Sequence, residues 1–200
     1  NTTIKSSKKF EPLLITGPLM IVQIGGGLKL ENVEFNYPKA ISIKNRNWTG
    51  AINSIESNVV IDNLTIKNNF GEDALNLVSS EFLINFLTIE NSPSDAFDSD
   101  FSTGKIHNLD CKFIGNDCLD VSESNILATK VSVLSAKDKA ISAGENSQLK
   151  IDNIFIKNSG IGLVAKDGAT LEVKELILQD VELAMAIFKK KPSYSDPFLR

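Results

Sequence analysis

DALNLVSS (residues 73–80), DAFDSDFS (95–102), DCLDVSES (117–124), KAISAGEN (139–146) and IGLVAKDG (161–168) superimpose without gaps at a constant spacing of 22 residues. Written as columns, the third position reads Leu75, Phe97, Leu119, Ile141, Leu163, and the fifth reads Leu77, Ser99, Val121, Ala143, Ala165. Strand side chains alternate faces, so these mainly apolar columns point to one side and the first, fourth and sixth positions to the other. The second position is always small (Ala74, Ala96, Cys118, Ala140, Gly162), as a tight turn into a strand demands. A second strand-like stretch accompanies each motif, at 60–66, 82–89, 106–113, 126–134, 149–156 and 171–178.

Repeats of this length bury their apolar face only by stacking on their neighbours. The expected fold is therefore all-β, a right-handed parallel β-helix solenoid with coils of about 22 residues. A leucine-rich horseshoe is disfavoured, because LxxLxLxxN is missing and the intervening residues are β-branched. Asn63, Asn85, Asn108 and Asn153 are expected to hydrogen-bond from coil to coil as amide ladders. Weaker copies extend the register at 13–24, 28–35, 39–44 (KAISIK) and 182–188. The period breaks over residues 44–59, which read as an irregular loop whose Trp48 either covers the solenoid or stacks on a sugar. Residues 1–200 read as a single β-helix domain, with regular coils over about 57–188 and a cap or tail at 189–200.

Composition excludes several classes. A net charge of -4, from 25 acids against 21 bases, gives no phosphate-binding surface, so nucleic acid is not an expected partner. No apolar run reaches the ~18 residues of a membrane span, and Asn1 to Phe10 lack the order of a signal peptide, so a soluble chain in mature or trimmed form is expected. Cys111 and Cys118 read as buried thiols, since two cysteines make no disulfide framework and His107 is the sole histidine. His107 itself reads as a solvent-facing strand residue. Arginine is confined to Arg46 and Arg200.

The outward columns gather acids: Asp73, Asp95, Asp117 and Lys139 at the first position, Asn76, Asp98 and Asp120 at the fourth, Asp100 and Lys166 at the sixth. With strands ~4.8 Å apart and alternate residues ~6.7 Å apart, Asp95, Asp98, Asp100, Asp117 and Asp120 share one patch. Each like-charged pair costs on the order of 1 kcal/mol even when solvated. A bound Ca²⁺, a shared proton or nearby ammonium groups would offset that repulsion. The expected metal ligands are Asp98, Asp100 and Asp120. Aspartate at a strand entry also caps turns, which alone would account for Asp95 and Asp117; mid-strand Asp98, Asp100 and Asp120 have less structural reason to be there.

SDAFDSD, then GNDCLDV, then KDKAISAGE resemble the successive coil motifs of polygalacturonases, within the pectin-lyase-like β-helix superfamily, over roughly residues 94–145. In that family NTD, GDD and GHG motifs occupy consecutive coils. The resemblance implies that Asp95 and Asp117 stand at family acid positions, while Asn116 replaces the first acid of GDD and Asp138 the histidine of GHG. It also implies polysaccharide lyases as an alternative, with Ca²⁺ held by aspartates and Lys139 or Lys166 in place of an arginine base. The same phrases are similar to bacterial surface β-helix modules of no assigned activity.

The functional expectation is a carbohydrate-active β-helix working on an extracellular, acidic polysaccharide, by hydrolysis or lysine-assisted elimination. Asp95, Asp98, Asp117, Asp120 and Lys139 are the catalytic candidates, and Asp73, Asn76, Asp100, Asn116, Asp138 and Lys166 the substrate-binding ones. The alternatives are a non-catalytic glycan- or calcium-binding module and a purely structural one. The chain is expected outside the cell, at its surface or in the periplasm, as a monomer or as part of a larger surface protein.

Overall fold

The computed structural model describes residues 1–43 and 46–200. It is a parallel β-solenoid of about 8 turns, with no helix among the described residues. Leu75, Phe97, Leu119, Ile141 and Leu163 are successive register partners, and so are Asn76, Asp98, Asp120, Ser142 and Val164. The aligned columns of the repeat are thus stacked rungs.

Each coil contributes to three ladders. The first holds the repeat motif, including Asp73–Val78, Phe97–Asp100, Leu119–Ser122 and Lys139–Gly144. The second and third share long strands such as Glu81–Ser92, Thr103–Ile114 and Asn125–Ala136. In these, two runs of pairing are separated by a single residue, between Ile84 and Phe86 in one strand and between Ile106 and Asn108 in the next. The sequence reading resolves two strands per coil because this bend needs no turn residue.

Inward side chains stack like on like. Leu64, Leu87, Leu109, Val131 and Ile154 form one buried column, and Ile61, Ile84, Ile106, Ala128 and Ile151 another. A contiguous apolar core follows, worth ~25 cal/mol per Å² of apolar surface removed from water. Corners carry the cost of the tight path. Between the first and second ladders Ser79, Phe101, Glu123 and Asp167 all have positive φ, and each is followed by a ladder of small residues. There the Ser80 N–H donates to Ser102 Oγ, the Ser102 N–H to Ser124 Oγ and the Ser124 N–H to Ser147 Oγ, at 3.0, 3.0 and 3.2 Å. This buried serine ladder satisfies backbone donors that the turn would otherwise strand.

Several expectations are corrected. Cys111 and Cys118 form a disulfide across the corner between the third and first ladders, with Cα atoms 5.9 Å apart, and are not thiols. Both are buried, Cys111 on the strand that leads into the corner and Cys118 just before the strand that leaves it, which the count of two cysteines does not reveal. Residues 44–59 are not all loop: Gly50–Ile55 is a rung of the first ladder, pairing Ile52 with Leu75 and Asn53 with Asn76. Its offset of 23 residues, with Gly50 in place of an aspartate, hides it from a 22-residue frame. KAISIK is not a motif copy, since Ser42–Ile43 pairs antiparallel with Arg46–Asn47 as a hairpin outside the solenoid; Lys44 lies outside the described residues. The weaker coils near both termini do join the ladders, through Leu13–Thr16, Gly27–Glu31 and Val33–Asn36 at one end and residues 183–188 at the other. The tail ends in a further rung, Phe198–Leu199 against Thr170 and Leu171. Asn63, Asn85 and Asn108 do reach the preceding coil, and a fuller amide ladder runs through Asn36, Asn68 and Asn91.

Gly115 marks the tightest corner, where a Cβ would land on the backbone carbonyl of Pro93 in the preceding coil. Gly115→Ala is expected to lower stability by about 3 kcal/mol, the upper range for overpacking a filled site. Urea unfolding checks this, and an unchanged midpoint would mean that the corner relaxes freely.

Candidate functional site

The outer surface of the first ladder carries the acidic patch, and its first column is not outward as the alternation predicts. Asp73 and Asp117 are only 4% and 1% exposed, because they sit inside the corner that enters each strand. Their bonds explain the placement. Asp95 Oδ1 accepts from the Asp117 N–H at 2.8 Å and from Asn116 Nδ2 at 2.7 Å. Asp117 Oδ1 accepts from the Lys139 N–H at 2.9 Å, and Asp117 Oδ2 pairs with the Lys139 ammonium at 3.1 Å. Each aspartate caps the entry of the following rung, and Asp138 holds the same ammonium from outside. Asp73 hydrogen-bonds Thr49 and receives a 3.4 Å contact from Asn76 Nδ2.

The fourth and sixth columns behave differently. Asp98 faces carboxylates alone: Asp100, Asp73, Asp120 and Asp95 all act on it, with no hydrogen bond or cation among the described residues to oppose them. Its rung partner Asp120 lies 3.8 Å from Lys166 Nζ, yet Asp120 Oδ1 is buried without a hydrogen-bond partner. Lys166 reaches Asp120 by lying across Gly144, where a Cβ would come within 2.7 Å of its Cε. Both side chains are mostly covered, at 15% and 25% exposure.

Two segments bound this surface. At one end Trp48 and Thr49 form, with Asn53, Asn76 and Val78, a cleft of about 200 Å³. At the other the tail folds back along the corner. Asp167 Oδ1 accepts the N–H groups of Lys190 and Lys191, at 2.6 Å each, Lys191 Nζ pairs with Glu145 at 2.5 Å, and Tyr194 donates to Glu123 at 3.2 Å. Glu145 also accepts from Ser122 Oγ at 2.6 Å.

Burial and mutual repulsion set the protonation of the patch. Burial, then the four neighbouring carboxylates, pushes Asp98 up to about 8. Burial raises Asp73 to about 7 against the bond from Thr49, and Asp117 to about 7 against the Lys139 charge. Asp95 and Asp100 are raised by burial as well. Glu145 is the exception: burial opposes its charge, but Lys191 and Ser122 overcome it and hold the carboxyl below its usual range. For Lys139 the bonds to Asp138 and Asp117 outweigh burial, so its proton is held more tightly than in a free lysine.

The structure thus brings Asp73, Asn76, Asp95, Asp98, Asp100, Asn116, Asp117, Asp120, Lys139 and Lys166 onto one ladder and its entering corner, with Asp138 at the corner's outer edge. Among the described residues no group of three or more His, Cys, Asp or Glu is arranged to hold a metal ion, so the assignment of Asp98, Asp100 and Asp120 as ligands gains nothing from the geometry. His107 is exposed at the bend between the second and third ladders, beside an apolar cleft of about 630 Å³. Sequence reasoning misses Thr49, Glu145, Lys191 and Tyr194. Glu145 closes the KAISAGE phrase and was open to view, whereas no periodicity points to the tail.

No family model, no curated protein and no solved structure matches this chain. What fold and surface define together is a parallel β-helix repeat protein with a carboxylate ladder enclosed between a loop and a returning tail.

Raised carboxyls make stability depend on pH with a definite sign. The unfolded chain loses these protons near 3.8, whereas the folded state keeps those of Asp73, Asp98 and Asp117 up to about 7 to 8. Over that window the native state binds more protons, so their contribution is complete below about pH 4 and is lost as pH rises to about 8. The melting temperature is expected to fall over this range. Asp98→Asn should flatten the slope and raise stability near pH 8 by on the order of 1 kcal/mol or more. A melting temperature indifferent to pH, or lower in the variant near pH 8, would contradict this account.

Proposed function

We propose that this chain is a polysaccharide-hydrolysing β-helix whose substrate lies along the outer surface of the first ladder, between the Trp48 segment and the tail. Asp98 carries the reading. Held protonated at neutral pH by burial and four carboxylates, it has the state a general acid needs to cleave a glycosidic bond. Among the described residues no structural bond accounts for its presence in the middle of a strand, where aspartate is disfavoured.

Asp120 supplies the second carboxylate, paired to Lys166 and one rung away, at ~4.8 Å between backbones. That spacing favours the closer of the two glycosidase geometries, in which configuration is retained. Asp98 gives its proton to the glycosidic oxygen as the C–O bond breaks and Asp120 bonds to the anomeric carbon. Water, deprotonated by Asp98, then displaces Asp120 and releases the sugar. Asp100, ~6.7 Å along the same strand, is the alternative partner for an inverting, water-mediated displacement.

Elimination by Lys139 is less favoured, because a base must give up its proton and Lys139 holds its own tightly between Asp117 and Asp138. Ca²⁺ bound at Asp98, Asp100 and Asp120 would remove the proton that hydrolysis uses, so the mechanism is written without it. A ladder running from Asn53 to Val164, five rung steps or ~24 Å, suits a polymer better than a small molecule. The disulfide favours an oxidising, extracellular or periplasmic setting. Among the described residues no helix is long and apolar enough to cross a membrane.

A panel of plant and microbial polysaccharides, assayed for release of reducing ends, tests the proposal. Asp98→Asn and Asp120→Asn are each expected to lower turnover by ~10²- to 10⁴-fold with the fold intact. Wild-type turnover in both variants would sink the mechanism, and retention of a glycan without any product would leave a binding module in its place.

A further inference from the structure

Every rung must turn sharply from the third ladder into the first, and it does so through one residue of positive φ. Asn68, Asn91, Asn158 and Asp180 fill that position in four rungs, with φ of 53, 60, 53 and 53°. Asparagine and aspartate tolerate the left-handed region. Asn68 and Asn91 also use the position to bond the rung before, Asn91 Nδ2 to Asn68 Oδ1 at 3.0 Å and Asn68 Nδ2 to Asn36 Oδ1 at 2.8 Å. Three rungs depart from the pattern, one through the small Ser135, with φ of 70°, and two through aromatic residues. Tyr37 and Phe113 hold the same conformation, with φ of 60 and 58°, although bulky side chains are outliers there. They forgo the amide bond, and burial does not compensate, because the rings are 46% and 53% exposed.

Backbone strain kept without a packing return points to function. The surroundings say which. Phe70, 62% exposed, stacks on Tyr37 with centroids 6.2 Å apart and planes 21° from parallel. Asn68, Asn91 and Pro93 lie between that pair and Phe113, and together these residues line a cleft of about 370 Å³ with no charged side chain. From Tyr37 to Phe113 is three rung steps, ~14 Å. Aromatic planes at both ends with amides between them match a chain of sugar rings, whose C–H faces stack on aromatics and whose hydroxyls bond to amides. The absence of charge favours sugars without carboxylate, amine or phosphate. The cleft also adjoins the acidic ladder: Phe70, Pro93 and Phe113 precede Asp73, Asp95 and Asp117 by only a few residues. Phe101 repeats the departure at the opposite corner, directly after Asp100, with φ of 50° and 63% exposure.

We infer that Tyr37, Phe70 and Phe113 form a binding site for uncharged sugar units of a polysaccharide. The site stands on a different observation from the hydrolytic reading and requires no catalysis. It also turns the expected substrate from an acidic polymer towards a neutral one.

The probes are the β-1,4-linked hexasaccharides of glucose, mannose and xylose, with hexagalacturonate as the charged counterpart, titrated into the full chain by calorimetry. Tyr37→Asn and Phe113→Asn install the residue that other rungs already use at this corner, so both variants should melt no lower than the wild type. At least one neutral hexasaccharide is expected to bind the wild type, and each substitution to weaken it tenfold or more. The inference is overturned if no neutral probe binds, if hexagalacturonate binds better than all of them, or if both asparagine variants bind as the wild type does. It is also overturned if they change only the sedimentation of the protein, which would make the rings a contact between copies. A hexasaccharide that binds here and is never cut supports the corner while counting against hydrolysis at Asp98.

Discussion

Parallel strands hydrogen-bond at a fixed separation of ~4.8 Å, and in a solenoid that separation brings each side chain against the residue one coil away. Here the offset holds at 22 residues from Leu75 through Phe97, Leu119 and Ile141 to Leu163. Inward, the rule works for stability, since Leu meets Phe and Ile meets Ile in unbroken columns. Outward, it works against stability wherever neighbouring columns carry one sign of charge. Asp98 and Asp120 are register partners for the same reason that Phe97 and Leu119 are. The core and the acidic patch are two consequences of one spacing.

The corners decide which aspartates stay available. Asp95 and Asp117 turn back to cap the next coil's entry, so their oxygens are occupied by Asn116, by backbone N–H groups and by Lys139. The disulfide between Cys111 and Cys118 ties this same corner to the third ladder, next to Asp117. Asp98 and Asp100 follow immediately on a strand whose start is therefore held firmly, yet neither is used to hold it. A rigid frame with spare carboxylates is what the proposed site requires and a solvated acidic surface lacks.

Legibility followed periodicity. The first ladder could be read from five aligned phrases, and with it the adjacency of Asp98, Asp100 and Asp120. Gly50–Ile55 escaped through one inserted residue and the loss of its leading aspartate. The third ladder escaped because strands such as Glu81–Ser92 bend without glycine or proline. Alternation alone misjudged the first column, because Asp73 opens its strand and Asp117 precedes its own, both inside the entering corner. The partners that came from outside the repeat, Thr49 from an inserted segment and Lys191 from the tail, had no column to appear in. The likeness of the coil phrases to polygalacturonase motifs, which no comparison supports, pointed to Asp95 and Asp117, the two acids that the coil-to-coil caps consume.

Charge is distributed unevenly along the ladder. Lys139, Lys166 and Lys191 all approach from the C-terminal coils, and they neutralise Asp117, Asp120 and Glu145. Among the described residues no lysine pairs with Asp73, Asp98 or Asp100; burial raises all three carboxyls, helped at Asp73 by Asp95, at Asp98 by Asp100 and at Asp100 by Asp120. Stacking alone does not call for these acids mid-ladder, since Asn76 fits an amide into the same column and bonds Thr49 at 2.5 Å. Protonation is the cheapest relief that the fold leaves to Asp98, and it yields an acid beside an ion-paired carboxylate in the adjoining coil. The stability lost at Asp98 and the protonated state on which the proposed hydrolysis rests have the same cause, a carboxyl that burial and its neighbours keep from ionising.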